Sequence, residues 1–514
     1  MLRGRLRRRW IAGVTPLALL LGGAVALPTP AAADVVTVQS DNLRTAWDQN
    51  EPGLSPSSVS ASDFGQLFST QLNGQVYANQ LVVNNTVIAA TETNYVYGLN
   101  AETGAINWSR NVGPSWPSSV LGCGDLTPNI GITSTPVYDP ATGSVFFVAK
   151  VNDGPDLQHP NIYMHSIDPV TGVERSGWPV KIQGHASNDP TRTFDAETAG
   201  QRAGLLLLGG VVYVGFASHC DYGQYVGYIA GVKTTTPAMS TLWSAEAGTA
   251  NGEAGIWQSG AGLVSDGPGR IIFTTGNGLS PAPGPGNQPP SNLAESVVRL
   301  QVNGDGSLTA QDFFSPSNNS NLDQNDVDFG SGGPMALPDQ FGTASHPHLL
   351  VQVGKEGKIF LLDRDNLGGN AQGPGGTDAS VGAPVGPYGG MWGHPALWGG
   401  DGGYVYDLEN FSYIRALKIG VSGTGLPTLT SAGHTNELNP FSSGSPVVTS
   451  NGTTSGSAIV WQVGASGGTG ANGVLRAYDA VPQNGILHLR WSFPIGTAAK
   501  FTSPSTNNGR VYIG

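Results

Sequence analysis

Several polar side chains follow short apolar runs along the chain, and their types suit a hard cation combined with acid–base chemistry. Asn277 comes soon after the apolar residues 271–273, and Asp328 ends an acidic stretch that begins at Asp323. Lys355 follows another apolar run. Carboxylate and amide oxygens are the ligands that calcium prefers, and a carboxylate kept ionised beside a cation can accept a proton from an alcohol. Each residue also has a plainer interpretation, namely an Asn-Gly turn, an Asp-rich loop or a Lys-Glu-Gly hairpin turn.

Other catalytic and metal-binding motifs are missing from the sequence. It contains no His-Glu-x-x-His or P-loop pattern, and the acidic stretch does not have the spacing of an EF-hand. His346 and His348 form a pair for which the sequence places no third ligand, so we interpret them as surface residues. Asp221 is a further carboxylate, and its loop has either a structural or a ligating role.

A repeated unit supplies the elements that must position these residues. In its cleanest copy, two apolar strands within residues 87–100 are followed by Thr103-Gly104 and then by Trp108. Similar units end at Trp178 and Trp243, and weaker copies continue to the end of the chain. No long segment has the 3.6-residue period of a helix. Short strands at this spacing, separated by turns, predict an all-β protein built from four-stranded propeller blades.

The number of blades follows from the two ends of the repeat region. Residues 66–70 have the pattern of an outer strand with no inner strands before it, and residues 501–514 have the pattern of inner strands with no outer one. Joining them into one split blade predicts eight blades, with seven as the alternative. The chain stops in the middle of this blade, which indicates an incomplete last blade or a truncated sequence.

The composition and the N-terminal residues indicate which kinds of partner and which cellular location to expect. The 514-residue chain has a net charge of −12 without a basic stripe, which argues against a nucleic-acid partner. Arginines, an apolar stretch and Ala31-Ala32-Ala33 predict a signal peptide over residues 1–33, cleavage after Ala33 and a secreted protein. Residues 34–63 are then an N-terminal arm and residues 64–514 the propeller, with no membrane span after the signal is removed.

The two cysteines and their spacing indicate which redox groups the chain can carry. An even number of cysteines in an exported protein indicates one disulfide. The sequence contains no Cys-x-x-Cys-His, so we expect no covalently attached c-type haem.

The ending from Ala101 to Trp108 resembles the tryptophan-docking repeat of the quinoprotein alcohol dehydrogenase-like family. The resemblance covers residues 64–514. It implies that Trp108 and its counterparts pack between blades, and that the central pocket holds pyrroloquinoline quinone (PQQ) with Ca²⁺. The repeat is shared by dehydrogenases and by cofactor-free scaffolds, so it indicates the fold better than the function.

The same resemblance implies roles for the polar residues. Asp328 takes the place of the catalytic base and of one calcium ligand, and Asn277 takes the place of a second ligand. Asp221 stands where the family has a glutamate ligand. Lys355, in a closely matching segment, takes the place of the cation that reaches the quinone. Gly330 stands where lanthanide-using relatives have a further carboxylate, which favours calcium.

The chain also departs from the family. Only Cys123 remains of the vicinal cysteine pair that covers the quinone, and no arginine follows near residues 129–131. The stacking tryptophan has no clear counterpart, with Trp257 as the candidate substitute. Trp392 lies in another segment that resembles the pocket. Because Cys123 and Cys220 both map near the pocket, a disulfide between them is geometrically feasible.

Three hypotheses about function follow. The first is an exported PQQ- and calcium-dependent dehydrogenase that oxidises an alcohol or sugar and passes electrons to an external acceptor. The alternative is a non-enzymatic propeller that binds a protein or a cell-wall polymer. A propeller hydrolase or lyase that uses pocket carboxylates is a third, for which the sequence has no specific signal.

Overall fold

The computed structural model describes residues 34–248 and 252–514. Seven β-sheets of three to five strands form the blades of a β-propeller, which we number in chain order. Neighbouring strands that are consecutive in sequence pair antiparallel, joined by turns and loops. The predicted all-β propeller is therefore confirmed.

The first four blades are four-stranded sheets. Their strands are Leu81–Val83, Thr86–Ala90, Tyr95–Asn100 and Ile106–Asn111 in blade 1; Val137–Asp139, Ser144–Val151, Asn161–Ile167 and Val180–Lys181 in blade 2; Leu206–Leu208, Val211–Phe216, Tyr228–Lys233 and Met239–Ser244 in blade 3; and Arg270–Thr274, Val297–Val302, Leu308–Ser315 and Gly369–Asn370 in blade 4.

The remaining blades have three, four and five strands. Their strands are Met335–Ala336, Leu349–Val353 and Ile359–Asp363 in blade 5; Ala396–Trp398, Tyr404–Leu408, Ile414–Val421 and Pro427–His434 in blade 6; and Val447–Thr449, Ile459–Ser466, Ala471–Asp479, Leu489–Gly496 and Trp47–Asp48 in blade 7. Three small hairpins lie outside the blades: Trp116–Pro117 with Asn129–Ile130, His185–Ala186 with Asp189–Thr193, and Ser505–Asn507 with Arg510–Tyr512.

Helices are short throughout the described residues. The α-helices are Pro56–Val59 and Asn319–Gln324, and the 3₁₀ turns are Ser118–Val120, Gln258–Gly260, Phe329–Ser331 and Asp339–Phe341. None of the helices within residues 34–248 and 252–514 has the length and apolar character needed to cross a membrane. The signal peptide predicted over residues 1–33 lies outside the described residues.

Trp108 shows how the repeated tryptophan joins neighbouring blades. It pairs opposite Gly98 in the outer strands of blade 1, and its ring occupies the space where a Cβ of Gly98 would stand. Its other side packs on Gly172, in a turn of blade 2. The indole Nε1 donates a hydrogen bond to the carbonyl oxygen of Pro169 at 3.1 Å. Glycine is required at both contacts because any side chain there would displace the ring.

The expectation of eight blades was wrong, and the structure has seven. Residues 66–70 form no strand, and the hairpin Ser505–Asn507 with Arg510–Tyr512 stays a two-stranded sheet. The physical reason is that the segment binds a turn of blade 1 instead. Thr70 Oγ1 donates a hydrogen bond to the carbonyl oxygen of Gly104 at 2.7 Å, and the Phe68 ring packs on the same glycine.

The N-terminal arm runs around the central channel and contacts every blade. Hydrogen bonds join it to residues in or beside the first strand of each blade. The bonds join Val35 to Val82, Val36 to Tyr138, Arg44 to Leu205, Asn42 to Ser265, Leu43 to Ala336, Thr45 to Leu397 and Ala46 to Val448. The arm therefore ties the blades together at one end of the channel.

Arg44 anchors the middle of this arm. Its side chain is fully buried and donates hydrogen bonds to the carbonyl oxygens of Leu205 and Leu263, which belong to neighbouring blades. It also donates to Thr37 Oγ1 and to the carbonyl oxygen of Val38 within the arm. Because these acceptors are buried with it, the arginine satisfies polar groups that would otherwise have no partner.

Candidate active site in the central cavity

A cavity of about 420 Å³ opens at the centre of the propeller. Its volume lies within the usual range for small-molecule sites. All the residues predicted to form a site line this one cavity, although they are spread over more than 250 positions of the chain. They are Cys123, Cys220, Asp221, Trp257, Asn277, Asp328, Lys355 and Trp392. The structure thus brings the predicted residues together, while their individual roles stay predictions.

Asp328 and Lys355 form an ion pair in the wall of the cavity. Asp328 precedes the 3₁₀ turn Phe329–Ser331, and Lys355 follows the middle strand of blade 5. Lys355 Nζ lies 2.6 Å from Asp328 Oδ2 and 2.9 Å from Asp326 Oδ1. The backbone N–H of Lys355 also donates to the carbonyl oxygen of Asp328 at 3.1 Å, which fixes the two segments side by side.

For both Asp328 and Lys355, burial and the charge of the partner shift the pKa in opposite directions. Burial raises the pKa of the Asp328 carboxyl above its usual value, although the ammonium of Lys355 acts to lower it. Burial also acts to lower the pKa of Lys355, but the charges and hydrogen bonds of Asp328 and Asp326 outweigh it and hold this pKa above its usual value. Lys355 is therefore a permanent cation at neutral pH.

Asn277 lines the same cavity as Asp328 and lies three residues after the first strand of blade 4. Its side-chain Nδ2 donates to Asp326 Oδ1 at 3.2 Å, and the next backbone N–H, of Gly278, donates to Asp323 Oδ1 at 2.8 Å. These bonds turn the amide so that its oxygen, Oδ1, is buried without a hydrogen-bond partner. Asp328 Oδ1 is likewise buried and unpartnered. Two acceptor oxygens thus line one cavity with no donor from the described residues.

Asp221 brings a further carboxylate to the same cavity. One of its oxygens, Oδ1, accepts a hydrogen bond from the Tyr225 hydroxyl at 2.7 Å. Burial raises the pKa of nearby Glu253, and the charges of Asp221, Asp323 and Asp328 raise it further. Within residues 34–248 and 252–514, no group of three or more His, Cys, Asp or Glu residues has metal-binding geometry. The candidate ligand set is therefore two carboxylates with the Asn277 amide.

Gly330 cannot carry a side chain in this fold. A Cβ at this position would collide with the backbone of Thr275 and Gly276. These residues immediately precede Asn277, so the close approach of the two backbones helps to bring Asn277 and Asp328 to the same cavity.

A disulfide between Cys123 and Cys220 borders the cavity, with a Cα–Cα distance of 6.6 Å. It joins two loops that are 97 residues apart in sequence. Cys220 immediately precedes Asp221, and both residues have a left-handed backbone with φ of 51°. The disulfide therefore fixes the loop that carries one of the candidate ligands.

Aromatic side chains supply the apolar part of the cavity. Trp257 packs edge to face on Phe501 with ring centroids 5.8 Å apart, and Trp392 packs in the same way on Phe441. Lys355 Nζ lies 6.0 Å from the centroid of the Trp392 ring. Flat aromatic surfaces beside a fixed cation are suited to a planar ligand that carries polar oxygens.

Two residues were missed by the sequence analysis, namely Glu295, which lies next to the segment of Asp328, and Arg202, which lines the cavity. Glu295 is fully buried, and its Oε2 accepts a hydrogen bond at 2.6 Å from the backbone N–H of Phe329, next to Asp328. Burial raises its pKa to about 9, so the carboxyl is neutral at pH 7. A lone acid within the otherwise uncharged residues 293–298 was the available signal. Arg202 lines the cavity and belongs to no recognisable motif.

No protein-family model matches the sequence, and neither does any curated protein. Solved structures do match. A quinohemoprotein alcohol dehydrogenase from Comamonas testosteroni has a TM-score of 0.61 at 18% identity, covering 93% of this chain and 76% of that chain. The quinohemoprotein alcohol dehydrogenase ADHIIG from Pseudomonas putida HK5 has a TM-score of 0.61 at 15% identity, covering 93% and 75%. A europium-containing methanol dehydrogenase has a TM-score of 0.56 at 15% identity, covering 90% and 86%.

These likenesses concern the fold. The chain has quinohemoprotein alcohol dehydrogenases and a methanol dehydrogenase as structural neighbours and shares their β-propeller. The resemblance to quinoprotein alcohol dehydrogenases predicted from the repeat is thereby confirmed at the level of the fold.

Proposed function

We propose that the chain is an exported PQQ- and calcium-dependent dehydrogenase that oxidises an alcohol or a sugar and passes the electrons to an external acceptor. One observation carries this proposal. Asn277 Oδ1 and Asp328 Oδ1 are buried without a partner in one cavity, next to the ammonium of Lys355. The fold shared with the dehydrogenases named above supports it.

The donor set fits a calcium ion. Buried oxygens without a hydrogen-bond donor are unfavourable unless a cation or water satisfies them. Calcium takes carboxylate and amide oxygens in flexible geometry, and Asp221, Asn277 and Asp328 supply both kinds. The crowded backbone at Gly330 leaves no room for a further carboxylate there, which supports calcium over a more highly charged ion.

The cavity also fits a planar quinone. Its volume of about 420 Å³, the rings of Trp257 and Trp392 and the disulfide at its edge together suit a flat aromatic ligand. When bound, PQQ with its calcium ion would supply the two-electron oxidation of a hydroxyl-bearing carbon. In this proposal, Lys355 would donate a hydrogen bond to a quinone oxygen.

The remaining chemistry belongs to Asp328. Its Oδ2 is held by Lys355 at 2.6 Å, so Oδ1 is the atom left to face a substrate or a cation. A cation nearby favours the ionised form of the carboxyl, which is the form that accepts the proton of the substrate hydroxyl. We propose that the electrons then pass to an external acceptor.

The test is turnover of the mature protein with PQQ and Ca²⁺, assayed by dye reduction over a panel of alcohols and sugars. We expect Asp328→Asn to lower the rate at least about 100-fold, because the general base is removed. Asp305→Asn is the control, since Asp305 is an exposed carboxylate in a turn of blade 4 and does not line the cavity. We expect it to change the rate by less than about tenfold.

Equal losses in both variants, or no turnover on any substrate, would contradict the assignment. Absence of quinone binding as well would favour the alternative of a non-enzymatic propeller that binds a protein or a polysaccharide. Export rests on the N-terminal sequence and is tested by whether the secreted form begins at Asp34.

A further inference from the structure

Arg202 is a buried cation that lines the central cavity and has no hydrogen-bond partner among the described residues. Only 6% of the residue is exposed, and its Nη1 is shielded from solvent without a hydrogen-bond acceptor. No hydrogen bond or ion pair of its guanidinium is found among the residues that the structure describes. Burying a guanidinium is strongly unfavourable unless another group satisfies it. The folded protein therefore holds an unsatisfied positive charge against the cavity.

The nearest carboxylates, those of Glu92 and Asp125, make no ion pair with this guanidinium, and Glu92 Oε1 is itself buried without a hydrogen-bond donor. Glu92 accepts hydrogen bonds from Thr133 Oγ1 at 3.0 Å and from a backbone N–H, and Asp125 lies 3.5 Å from Lys500 Nζ. Burial also raises the pKa of Glu92 to about 7, so its charge is partly neutralised at neutral pH. Arg202 thus interacts electrostatically with both carboxylates but forms an ion pair with neither of them.

The surrounding chain makes room for the guanidinium at this place. Gly260 has a left-handed backbone with φ of 90°, and a Cβ there would collide with the Arg202 side chain. The Arg202 guanidinium carbon lies 5.8 Å from the centroid of the Tyr77 ring, which also lines the cavity. Arg202 is thus positioned beside the cavity that also holds Asp328 and Lys355.

We propose that Arg202 is the anchor of an anion subsite that takes a carboxylate of the bound ligand. A planar guanidinium donates paired N–H groups in a geometry that matches a carboxylate, and a desolvated site strengthens the attraction. Two sources have this chemistry. One is a carboxylate of PQQ itself, and this form rests on the proposed function. The other is the carboxylate of a hydroxy-acid substrate, and this form stands without the quinone.

The first arm of the test separates ligand binding from folding. Arg202→Met is compared with Arg364→Met, because Arg364 is equally buried but paired with Asp266 and Asp339, each at 3.0 Å. In thermal unfolding without ligand, we expect Arg202→Met to be at least as stable as the wild type, since it removes an unpaired buried charge. We expect Arg364→Met to be less stable than the wild type.

The second arm measures binding by calorimetry with matched pairs of probes. PQQ is compared with its trimethyl ester, which lacks the negative charges, and gluconate is compared with sorbitol, in which a CH₂OH group replaces the carboxylate. We expect Arg202→Met to weaken binding of PQQ, gluconate or both by about tenfold or more, as loss of a charge-assisted hydrogen bond does. Binding of the uncharged probes should not change.

The pattern of results identifies the source and can overturn the proposal. An effect confined to PQQ assigns the carboxylate to the quinone, and an effect on gluconate assigns it to the substrate, even when PQQ does not bind and the proposed function fails. Two outcomes overturn the subsite: neither anion binds the wild type, or Arg202→Met binds both anions as tightly as the wild type does, whatever its stability.

Discussion

Lys355 Nζ lies 2.6 Å from Asp328 Oδ2, so the candidate base and the candidate quinone-binding cation form one ion pair. The pairing leaves Asp328 Oδ1 as the buried oxygen without a partner in the cavity. One carboxylate oxygen is thus committed to orientation and the other is available for chemistry. The arrangement is specific enough to predict how each partner responds to substitution.

Two substitutions of Lys355 should show whether its positive charge or its packing contributes to the reaction rate. We expect Lys355→Met to lower kcat of the reconstituted enzyme about 100-fold, because a hydrogen-bond donor at the position of developing negative charge is removed. Lys355→Arg should keep most of the rate. Steady-state dye reduction with saturating PQQ and Ca²⁺ measures both variants. Equal rates in Lys355→Met and the wild type would remove this residue from the reaction.

Arg44 should be critical for stability rather than for activity. Arg44→Met leaves the buried carbonyl oxygens of Val38, Leu205 and Leu263 without their donor, and each such loss costs about 1–3 kcal/mol. We expect the free energy of unfolding in urea to fall by at least about 3 kcal/mol. Arg490→Met is the control, because the partly exposed side chain of Arg490 pairs with Asp479 within blade 7, so we expect a smaller loss.

If Arg44→Met unfolds no more easily than Arg490→Met, the arm does not hold the blades together.

The disulfide should contribute to both stability and the candidate calcium site. Cys123→Ser/Cys220→Ser opens a cross-link that spans 97 residues, and closing a loop of that length is worth about 4 kcal/mol. It also frees the loop of Asp221, so we expect Ca²⁺ to bind about tenfold more weakly. Isothermal titration with Ca²⁺ checks this second effect. An unchanged Ca²⁺ affinity in a folded double variant would show that the loop does not need the cross-link.

Asp407 should make stability depend on pH. Burial raises the pKa of its carboxyl to about 8 in the folded state, with a smaller contribution from Glu409, whereas the unfolded value is near 3.8. Between these values the folded state holds the extra proton, so the free energy of unfolding falls as pH rises, by up to about 1.4 kcal/mol for each pH unit. Asp407→Asn has no proton to lose and should be less sensitive between pH 5 and 8.

Urea titrations of both proteins at several pH values give the comparison, with the exposed Asp63→Asn as the control. Parallel pH profiles for wild type and Asp407→Asn would contradict the assignment.

The blades could be predicted from the sequence because their signals are local. Strand patterns, Thr-Gly turns and a following tryptophan such as Trp108 lie within about 25 residues of one another. The number of blades could not be predicted in the same way. It depends on whether residues 66–70 pair with the C-terminal hairpin, and the structure shows Phe68 and Thr70 bound to Gly104 instead. The path of the N-terminal arm past all seven blades could not be predicted either, because residues 34–63 have no periodic pattern.

The site residues likewise fall into those that could be predicted from local sequence and those that could not. Asn277, Asp328 and Lys355 were found because each stands in a segment that resembles a known pocket, and the structure places all of them in one cavity. Arg202 and Glu295 were missed because each is a single residue whose importance comes from burial and from neighbours distant in sequence. Only the folded chain shows that Gly260 leaves space for Arg202.

Binding of PQQ to the mature wild-type protein, followed by quinone absorbance with and without Ca²⁺, tests the central claim most directly. The account predicts stoichiometric binding at micromolar PQQ that requires Ca²⁺ and is weakened at least about tenfold in Asn277→Ala, which removes a ligand oxygen. No binding at micromolar PQQ, or binding that is indifferent to Ca²⁺ and to Asn277→Ala, would contradict it and leave only the propeller fold established.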